Sequence, residues 1–317
     1  MERLPRMRVV VTGGAGFIGA NLCRRLVAVG MEVVVVDDLS SGQRANLEGL
    51  DVTLHEGTIL APELLDQACE HADAVVHLAA RGSVPLSVED PLASHDRNAT
   101  GTAQVLEAAR RAGGLHTIVA SSSSVYGSNP HMPRHEGLVP MPVSPYAATK
   151  LATESYALAW AEVYDLPVLA LRFFNVYGPL QSPDHAYAAV VPSFVDAAVG
   201  GRPLPIHGDG TQTRDFTYVG TVCDVISEAL TAEVTHDGPV NLAFGTRVSL
   251  LELVAELEAV LGHPVEREHR PVRAGDVRES QASTERLESL FSSVRPVPLA
   301  DGLLETVRWH RERQRLA

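Results

Sequence analysis

A glycine-rich turn between an apolar run and an amphipathic stretch is the feature that most constrains the fold of this chain. The run Val9-Val10-Val11 leads into Thr12-Gly13-Gly14-Ala15-Gly16-Phe17-Ile18-Gly19, and residues with helical spacing follow. In a strand–turn–helix unit of this kind, Gly13 permits the tight turn, Gly16 lets the backbone approach a pyrophosphate, and Gly19 lets the helix pack closely on the sheet. The free N–H groups of the helix N-terminus favour a bound phosphate. The segment therefore predicts a dinucleotide-binding turn.

An acidic pair, Asp37-Asp38, ends the next apolar run. Its position is close to the roughly 20 residues expected between such a turn and the residue that contacts the ribose. A carboxylate there accepts hydrogen bonds from the adenosine ribose hydroxyls and repels a 2′-phosphate. We therefore predict NAD rather than NADP as the cofactor, with Asp37 at the ribose and Asp38 in the turn.

Short apolar runs rich in β-branched residues alternate with stretches of helical spacing over the first two-thirds of the chain. Runs that are apolar on both faces are typical of a parallel sheet covered by helices on both sides. The six runs are Arg8–Val11, Met31–Val36, Val52–His55, Ala74–Leu78, Thr117–Ala120 and Val168–Leu171.

The pattern loosens after about Phe173, where the Pro- and Gly-rich stretch Gly200–Gly210 is expected to form loops and Ser249–Leu261 a helix. We predict an α/β fold, with a Rossmann-type doubly wound parallel sheet and a smaller C-terminal α/β substrate domain. The predicted boundaries are 1–172 plus about 213–245 for the NAD-binding domain, and 173–212 with 246–317 for the second domain.

Charge and composition exclude several classes of partner. The chain has 26 Lys and Arg against 39 Asp and Glu, a net charge of −13, and it lacks the basic footprint of a nucleic-acid or anionic-membrane binder. No apolar run reaches the roughly 18 residues that span a bilayer, and the N-terminus has no signal-peptide core. Three scattered cysteines predict no disulfide framework and fit a cytoplasmic protein. The dispersed histidines predict no metal site.

A phenol and an ammonium lie four residues apart in Tyr146-Ala147-Ala148-Thr149-Lys150, so a helix would place them on one face. A phenol has an ordinary pKa near 10 and is a poor base at neutral pH. A nearby ammonium and a positively charged nicotinamide would favour the phenolate and make it a usable general base. Four serines, Ser121–Ser124, follow the predicted strand Thr117–Ala120. They would lie at the carboxyl edge of the sheet, where ligands bind in such folds.

With these motifs in their order, the sequence resembles the extended short-chain dehydrogenase/reductase superfamily over essentially its whole length, and is most similar to the NAD-dependent nucleotide-sugar epimerases. Further matching motifs are Asp37-Asp38-Leu39-Ser40-Ser41-Gly42, His77-Leu78-Ala79-Ala80, Ser121–Gly127, Ser144–Lys150, Arg172–Pro179, Gly208–Phe216 and Arg273–Asp276.

The resemblance implies roles for particular residues. Ser122, Tyr146 and Lys150 would be catalytic, with Tyr146 as the base. The implied cofactor contacts are Gly13, Gly16, Phe17, Ile18, Gly19, Asp37, Ser41, Gly42, Thr58, Ile59, Leu78, Ala79, Ala80, Asn98, Tyr146 and Lys150; the family usually has Asp where Thr58 stands. The implied substrate contacts are Ser83, Ser122, Ser123, Tyr146, Asn175, Arg214, Arg273 and Asp276. Of these, Asn175, Arg214 and Arg273 would hold the diphosphate and Asp276 the uridine-side ribose.

The residues after Ser122 bear on the type of reaction that the resemblance implies. Related 4,6-dehydratases carry Asp-Glu directly after the catalytic Thr, and related decarboxylases usually carry Glu where Ser124 stands, whereas this chain has Ser123-Ser124. Without that acid and base, a 4-keto intermediate would turn over in the pocket and be reduced from its other face. The resemblance thus predicts an NAD-dependent UDP-sugar 4-epimerase. The alternatives are a decarboxylase, a 4-keto reductase and a catalytically silent NAD-binding protein.

The expected substrate is UDP-glucuronate, and a narrower hypothesis is an actinobacterial UDP-glucuronate 4-epimerase of antibiotic biosynthesis. The hydroxyls of Ser121–Ser124 and of Ser83 could donate charge-assisted hydrogen bonds to its C6 carboxylate. Related glucuronate epimerases often show an Arg where this chain has Leu180-Gln181-Ser182, so UDP-glucose and UDP-N-acetylglucosamine are the alternatives. The resemblance also implies a homodimer through helices at Leu92–Ala112 and Ala147–Tyr164.

Overall fold

The computed structural model describes residues 6–183, 189–272 and 278–316. The chain divides into two compact units. The first contains the chain up to Asn129 together with Glu136–Phe173 and Cys223–Asn241, and the second contains Pro130–His135, Phe174–Val222 and the chain from Leu242 onward. The functional assignment of the two predicted domains stays a prediction.

The described residues form thirteen strands and eleven α-helices, which alternate through most of the first unit. The strands are β1 (Arg8–Thr12), β2 (Glu32–Asp37), β3 (Val52–Glu56), β4 (Ala74–His77), β5 (His116–Ser122), β6 (Val168–Phe173), β7 (Val176–Tyr177), β8 (Leu204–His207), β9 (Thr213–Arg214), β10 (Thr217–Tyr218), β11 (Val240–Leu242), β12 (Val248–Ser249) and β13 (Arg267–Arg270). The α-helices are α1 (Phe17–Ala28), α2 (Pro62–Cys69), α3 (Val84–Glu89), α4 (Pro91–His95), α5 (Gly101–Arg111), α6 (Pro145–Tyr164), α7 (Val190–Val199), α8 (Val219–Thr231), α9 (Leu250–Leu261), α10 (Glu285–Leu290) and α11 (Leu299–Leu316).

The central sheet has the strand order β11-β6-β5-β4-β1-β2-β3. Strands β1 to β6 pair in parallel and coincide with the six apolar runs, so the predicted doubly wound parallel sheet of Rossmann type is confirmed. Residues such as Val10, Val34 and Val75 are completely buried because both faces of the sheet are covered. The chain order reverses between β1 and β4, and the carboxyl ends of strands at such a switch point are where ligands bind in this fold.

The predicted helix Leu92–Ala112 is interrupted by one wider turn. Its first part is α4, its last part is α5, and Asp96–Thr100 between them is a π-helical turn. The Asn98 carbonyl in this turn accepts a hydrogen bond of 2.5 Å from the Thr102 hydroxyl. Turns of this kind are frequent at functional sites, where they aim a side chain that a regular helix would place elsewhere.

The second unit has its own apolar core, to which α7, α9 and α11 contribute Phe194, Leu253 and Val307. Helix α9 confirms the helix predicted at Ser249–Leu261, and Ser249 forms a capping box with Glu252. The expectation of loops throughout Gly200–Gly210 was wrong. Leu204 and Ile206 are completely buried on alternate positions of β8, which pairs in parallel with β13. Four residues with a central proline are too short for a recognisable strand pattern.

No helix in the described part of the chain is long and apolar enough to cross a membrane. The same residues contain no group of three or more His, Cys, Asp or Glu side chains that could hold a metal ion. The three cysteines, Cys23, Cys69 and Cys223, are buried free thiols.

Candidate active site

The glycine turn after β1 is packed so tightly that two of its positions accept only glycine. Gly13 has a φ of +72°, and a Cβ there would lie 2.7 Å from the Ala79 backbone nitrogen. A Cβ on Gly19 would lie 2.1 Å from the Gly13 carbonyl oxygen. The turn therefore lies directly against the segment after β4, and α1 begins against the turn.

The N-terminus of α1 is suited to a pyrophosphate. Its N-cap, Gly16, provides no side-chain cap, and the first turn contains no acidic residue. The backbone N–H groups of Phe17 and Ile18 thus belong to a helix end that no side chain of its own caps, where an anion is favoured. These features fit the NAD that the sequence predicts, and Gly16, Phe17 and Ile18 would hold its diphosphate.

Asp37 fastens this turn to the end of β2. Its carboxylate accepts hydrogen bonds of 2.9 Å from the backbone N–H groups of Ala15 and Leu39. Burial raises the pKa of Asp37, and the two N–H donors act against that rise. Gly42 lies against the same turn, because a Cβ there would come within 2.9 Å of the Ala15 carbonyl carbon. Ser41, its neighbour, is exposed. The carboxylate of Asp37 is therefore held at the carboxyl end of β2, beside the glycine turn, where a ribose contact is predicted.

Other predicted cofactor contacts lie on neighbouring elements. Thr58 begins the turn before α2, where its hydroxyl accepts a hydrogen bond of 3.2 Å from Leu60. Ile59 is buried and packs against Gly101. A Cβ on Gly101 would lie only 2.4 Å from the Ile59 Cδ1. The segment Leu78–Ala80 follows β4 at the sheet edge and is partly exposed. Their roles toward the cofactor stay predictions.

Asn98 takes part in the scaffold around this edge. Its side-chain oxygen accepts a hydrogen bond of 2.7 Å from the Arg81 N–H, and its amide donates to the Thr149 hydroxyl at 2.9 Å. The residue is only 1% exposed. Asn98 therefore connects the segment after β4 to α6, and its predicted support of the cofactor would act through these two contacts.

A buried chain of hydroxyls around His77 continues this scaffold. The Thr12 hydroxyl lies 2.7 Å from His77 Nδ1, and His77 Nε2 lies 3.0 Å from the Thr102 hydroxyl. Since Thr102 donates to the Asn98 carbonyl, its oxygen accepts from Nε2–H, and Nδ1 accepts from Thr12. Burial and the nearby Lys150 lower the pKa of His77 to about 3, so the ring is neutral near pH 7. The glycine turn, β4 and α5 are thereby joined by one directed hydrogen-bond chain.

The three predicted catalytic residues come together at the carboxyl end of β5. Ser122 ends this strand, while Tyr146 and Lys150 lie one turn apart on α6, and Ser122 forms a side-chain hydrogen bond with Tyr146. Lys150 Nζ donates to the Ala120 carbonyl at 2.7 Å, which fixes α6 on β5. The Ser122 hydroxyl also accepts from the Ser124 N–H at 3.2 Å.

Burial shifts the pKa values of Tyr146 and Lys150. It raises the pKa of Tyr146, and the hydrogen bond from Ser122 acts in the opposite direction. It lowers the pKa of Lys150 to about 8, which weakens the hold of its ammonium on the proton. Burial of the phenol therefore opposes its ionisation. The positive charge of a nicotinamide at this edge would favour the phenolate.

A buried ion pair lies one helical turn beyond Lys150. The Arg172 guanidinium donates two hydrogen bonds to the Glu154 carboxylate, at 2.8 and 2.6 Å, and the Ser121 hydroxyl donates to the same group at 2.9 Å. The Arg172 guanidinium also covers the Tyr126 ring, 4.7 Å from its centroid. Sequence reasoning did not single out Glu154, although its spacing of four from Lys150 places both on one helix face. The pair fixes α6 to β5 and β6 beneath the catalytic residues.

Besides Ser122 and Tyr146, the predicted substrate contacts Ser83 and Ser123 lie in the first unit. The Ser83 hydroxyl accepts a hydrogen bond of 3.3 Å from Leu86 and caps α3. Ser123 begins the short 3-10 turn Ser123–Tyr126 and is partly exposed.

The second unit contains the predicted diphosphate residues. The Asn175 amide donates to the Asp215 carbonyl at 3.0 Å, which brings Asn175 close to Arg214, the residue before Asp215. The Asp215 carboxylate is completely buried and accepts hydrogen bonds from Thr246 and Ala282. Sequence reasoning missed this role of Asp215. Arg273 and Asp276 lie outside the described residues.

A cavity of about 350 Å³ opens in the second unit at the carboxyl ends of the parallel strands β8 and β13. Among the described residues, its lining includes the cation of Arg278 and several polar side chains. The lining residues are His207, Gly208, Asp209, Thr211, Gln212, Val272 and Arg278.

Comparison with known proteins identifies the family of this chain. Residues 9–243 match the NAD dependent epimerase/dehydratase family. The chain belongs to this family. Its cofactor is NAD, consistent with the glycine turn and Asp37.

Three similar proteins indicate the type of reaction. A UDP-glucose 4-epimerase of Mycolicibacterium smegmatis is 38% identical, over 97% of this chain and 99% of the relative. The structure of a UDP-N-acetylglucosamine 4-epimerase from Methanobrevibacter ruminantium, in complex with UDP-N-acetylmuramic acid, is 34% identical with a TM-score of 0.92, over 98% of this chain and 100% of the other. That of a UDP-glucuronic acid 4-epimerase from Bacillus cereus, with UDP-glucuronic acid and NAD, is 30% identical with a TM-score of 0.86, over 96% and 99%. This epimerase family member is accordingly an NAD-dependent isomerase.

The buried ion pair predicts a large difference between two Glu→Gln substitutions. Glu154→Gln leaves the Arg172 charge buried without its partner and should lower the free energy of unfolding by about 3–5 kcal/mol. Glu107→Gln, which breaks a pair with Arg110 at the surface, should have little effect. Urea denaturation measures both losses. Equal losses would show that the buried pair has no special role in holding α6.

The close packing of the glycine turn predicts that Gly19→Ala weakens NAD binding by about tenfold or more, since overpacking costs about 1–3 kcal/mol. The NAD released from the denatured, purified variant measures this loss. Gly82→Ala is the control, because a Cβ there meets open space. Undiminished NAD in Gly19→Ala would contradict the placement of the diphosphate at this turn.

Proposed function

We propose that this protein is a UDP-hexose 4-epimerase whose substrate is UDP-glucuronate and whose product is UDP-galacturonate. When bound, NAD would supply the redox chemistry as acceptor and then donor of a hydride at C4, and the glycine turn with Asp37 would hold it. All other steps are assigned to side chains of this chain.

In this proposal Tyr146 accepts the proton of the C4 hydroxyl as C4 is oxidised and returns it when the 4-keto sugar is reduced. Ser122 hydrogen-bonds the phenol and shares that proton. Lys150 keeps its Nζ on the Ala120 carbonyl and presents a positive charge that favours the phenolate. Between the two steps the 4-keto sugar turns over, which is how C4 becomes inverted.

The observation that supports a C6 carboxylate is the Ser124 hydroxyl. Its oxygen is buried, and the described residues offer it no hydrogen-bond partner. Ser121, by contrast, already donates to Glu154. A buried hydroxyl without a hydrogen-bond partner costs free energy of folding. A carboxylate would accept a strong, charge-assisted hydrogen bond from it. Ser123 and Ser124 are therefore the proposed donors to C6, next to the hydroxyl of Ser122.

UDP-glucose or UDP-N-acetylglucosamine is the second candidate substrate. The segment Leu180-Gln181-Ser182 contains no cation for a carboxylate, and Gln181 donates to the Val176 carbonyl at 3.2 Å. A decarboxylase is less well supported, because Ser124 stands where those enzymes usually have Glu. A silent NAD-binding protein is less well supported because Ser122, Tyr146 and Lys150 are brought together.

For the nucleotide part of the substrate we propose the second unit. Asn175 and Arg214 lie close together there, and bidentate arginine is well suited to a diphosphate. The cavity at the ends of β8 and β13 is the proposed place for the uridine. The substrate contacts of Arg273 and Asp276 stay predictions. The homodimer through the α4–α5 region and α6, the cytoplasmic location and the link to antibiotic biosynthesis stay predictions.

The purified protein, with no added NAD, is expected to convert UDP-glucuronate into a mixture of gluco and galacto epimers, which NMR resolves. UDP-xylose with release of CO2, or net consumption of NADH, would contradict epimerisation. No conversion of UDP-glucuronate, with conversion of UDP-glucose or UDP-N-acetylglucosamine, would replace the proposed substrate by the second candidate.

Two tyrosines on α6 provide a matched pair for the same assay. Tyr146→Phe removes the proposed base and should lower kcat by about 10²–10⁴-fold. Tyr156→Phe alters a tyrosine that is 39% exposed on the same helix and should leave kcat unchanged. Comparable activity of the two variants would show that Tyr146 is not the base.

A further inference from the structure

The backbone N–H of Tyr146 is held by a side chain from another element. Tyr146 is the second residue of α6, and the first N–H groups of a helix have no partner within it. Pro145 has no N–H, and the Ser144 hydroxyl caps the N–H of Ala147 at 3.1 Å. The N–H of Tyr146 donates to the hydroxyl of Ser87 at 3.0 Å. Ser87 therefore completes the cap of the helix that carries the proposed base.

Ser87 is held firmly in turn. It is completely buried on α3, and its hydroxyl donates to the Val84 carbonyl at 2.6 Å. With its proton committed to that carbonyl, the Ser87 oxygen is left to accept from Tyr146. A short helix otherwise exposed at Val84 and Val88 is thereby fixed to the first turn of α6.

The backbone N–H and the backbone carbonyl of Tyr146 are both held by side-chain hydroxyls. Its carbonyl accepts from the Thr149 hydroxyl at 2.8 Å, and Thr149 accepts from Asn98 in the π-helical turn. Asn98 also holds Arg81, where the segment that contains α3 begins. The segment Arg81–Asp90, which contains α3, is therefore bound to Asn98 at its start and to Tyr146 through Ser87.

We propose that Ser87 is a positioning residue for the base, because its hydroxyl fixes the first turn of α6 and so aims the Tyr146 phenol at Ser122 and at C4 of the sugar. This inference rests on the proposed function. A phenol lies far from its own backbone, so a small rotation of the first helical turn moves its oxygen by a larger distance. Misplacement of a catalytic group by about 1 Å can cost about 10²-fold in rate.

The test compares two serines in the same region of the chain. Ser87→Ala removes the acceptor for the Tyr146 N–H. Ser94→Ala is the control, because Ser94 is also completely buried but its hydroxyl donates to the Asp90 carbonyl of its own helix. With UDP-glucuronate, Ser87→Ala should lower kcat by about one to two orders of magnitude, with KM nearly unchanged. Ser94→Ala should keep the wild-type kcat.

The pH profile of kcat separates positioning from a loss of stability. The hydrogen bond from Ser122 lowers the pKa of Tyr146. When the phenol moves away from Ser122, its pKa rises, and the pH at which kcat levels off should move upward in Ser87→Ala only. The neighbouring titratable groups, Lys150 on α6 and His77 on β4, are the same in both variants. An unchanged kcat and pH profile in folded Ser87→Ala would overturn the proposal, and so would an equal loss in Ser94→Ala.

Amide hydrogen exchange tests the contact without any turnover. In Ser87→Ala, the Tyr146 amide should exchange much faster than in the wild type and in Ser94→Ala, because it has lost its acceptor. Unchanged protection of this amide would overturn the proposal. If the wild type does not convert UDP-glucuronate but the exchange result is as expected, the substrate assignment fails while Ser87 still holds the first turn of α6.

Discussion

The position of α6 against β5 and β6 is the constraint on which the rest of the site depends. Three buried polar groups fix it there: the Lys150 ammonium on the Ala120 carbonyl, the Glu154 carboxylate on Arg172, and the Ser121 hydroxyl on the same carboxylate. Buried charges are stable only when they are paired or hydrogen-bonded, so these contacts tolerate little displacement. The same helix brings Tyr146 to Ser122.

A second set of contacts joins this helix to the glycine turn. The directed chain from Thr12 through His77 and Thr102 reaches Asn98, and Asn98 reaches Thr149 beside the proposed base. Thr12 ends β1 at the switch point of the sheet, and Thr149 lies on the first turns of α6. The place expected for the NAD diphosphate and the place of the Tyr146 phenol are therefore positioned by one hydrogen-bonded scaffold. Fully satisfied networks of this kind rigidify the parts that they connect.

Features with a strong local pattern could be predicted from the sequence. Six apolar runs could be recognised as β1 to β6 because each is rich in apolar and β-branched residues, and Gly13 and Gly19 were identifiable because only glycine fits such a turn. Strand β8 was missed, because Leu204 and Ile206 are too few for an alternation to be recognised.

The contacts of the polar side chains around the site could not be predicted from the sequence, for a physical reason. Ser87 and Tyr146 are 59 residues apart, and a buried serine has the same sequence signature as one in a turn. The same holds for Glu154 with Arg172 and for Asp215 with Ala282, where only the tertiary fold decides which partner a polar group meets. Asn98 was singled out through family resemblance, but its two hydrogen-bond partners were not predictable.

The central claim is that a hydride leaves C4 and returns to C4 of the same sugar. Tyr146 and Ser122 transfer only the proton of the C4 hydroxyl. The most direct test is to incubate the protein with UDP-hexose deuterated at C4, in ordinary water, and to follow deuterium in both epimers by NMR and mass spectrometry. The account predicts that both epimers keep the deuterium at C4. Replacement of the deuterium by solvent hydrogen during epimerisation would contradict it.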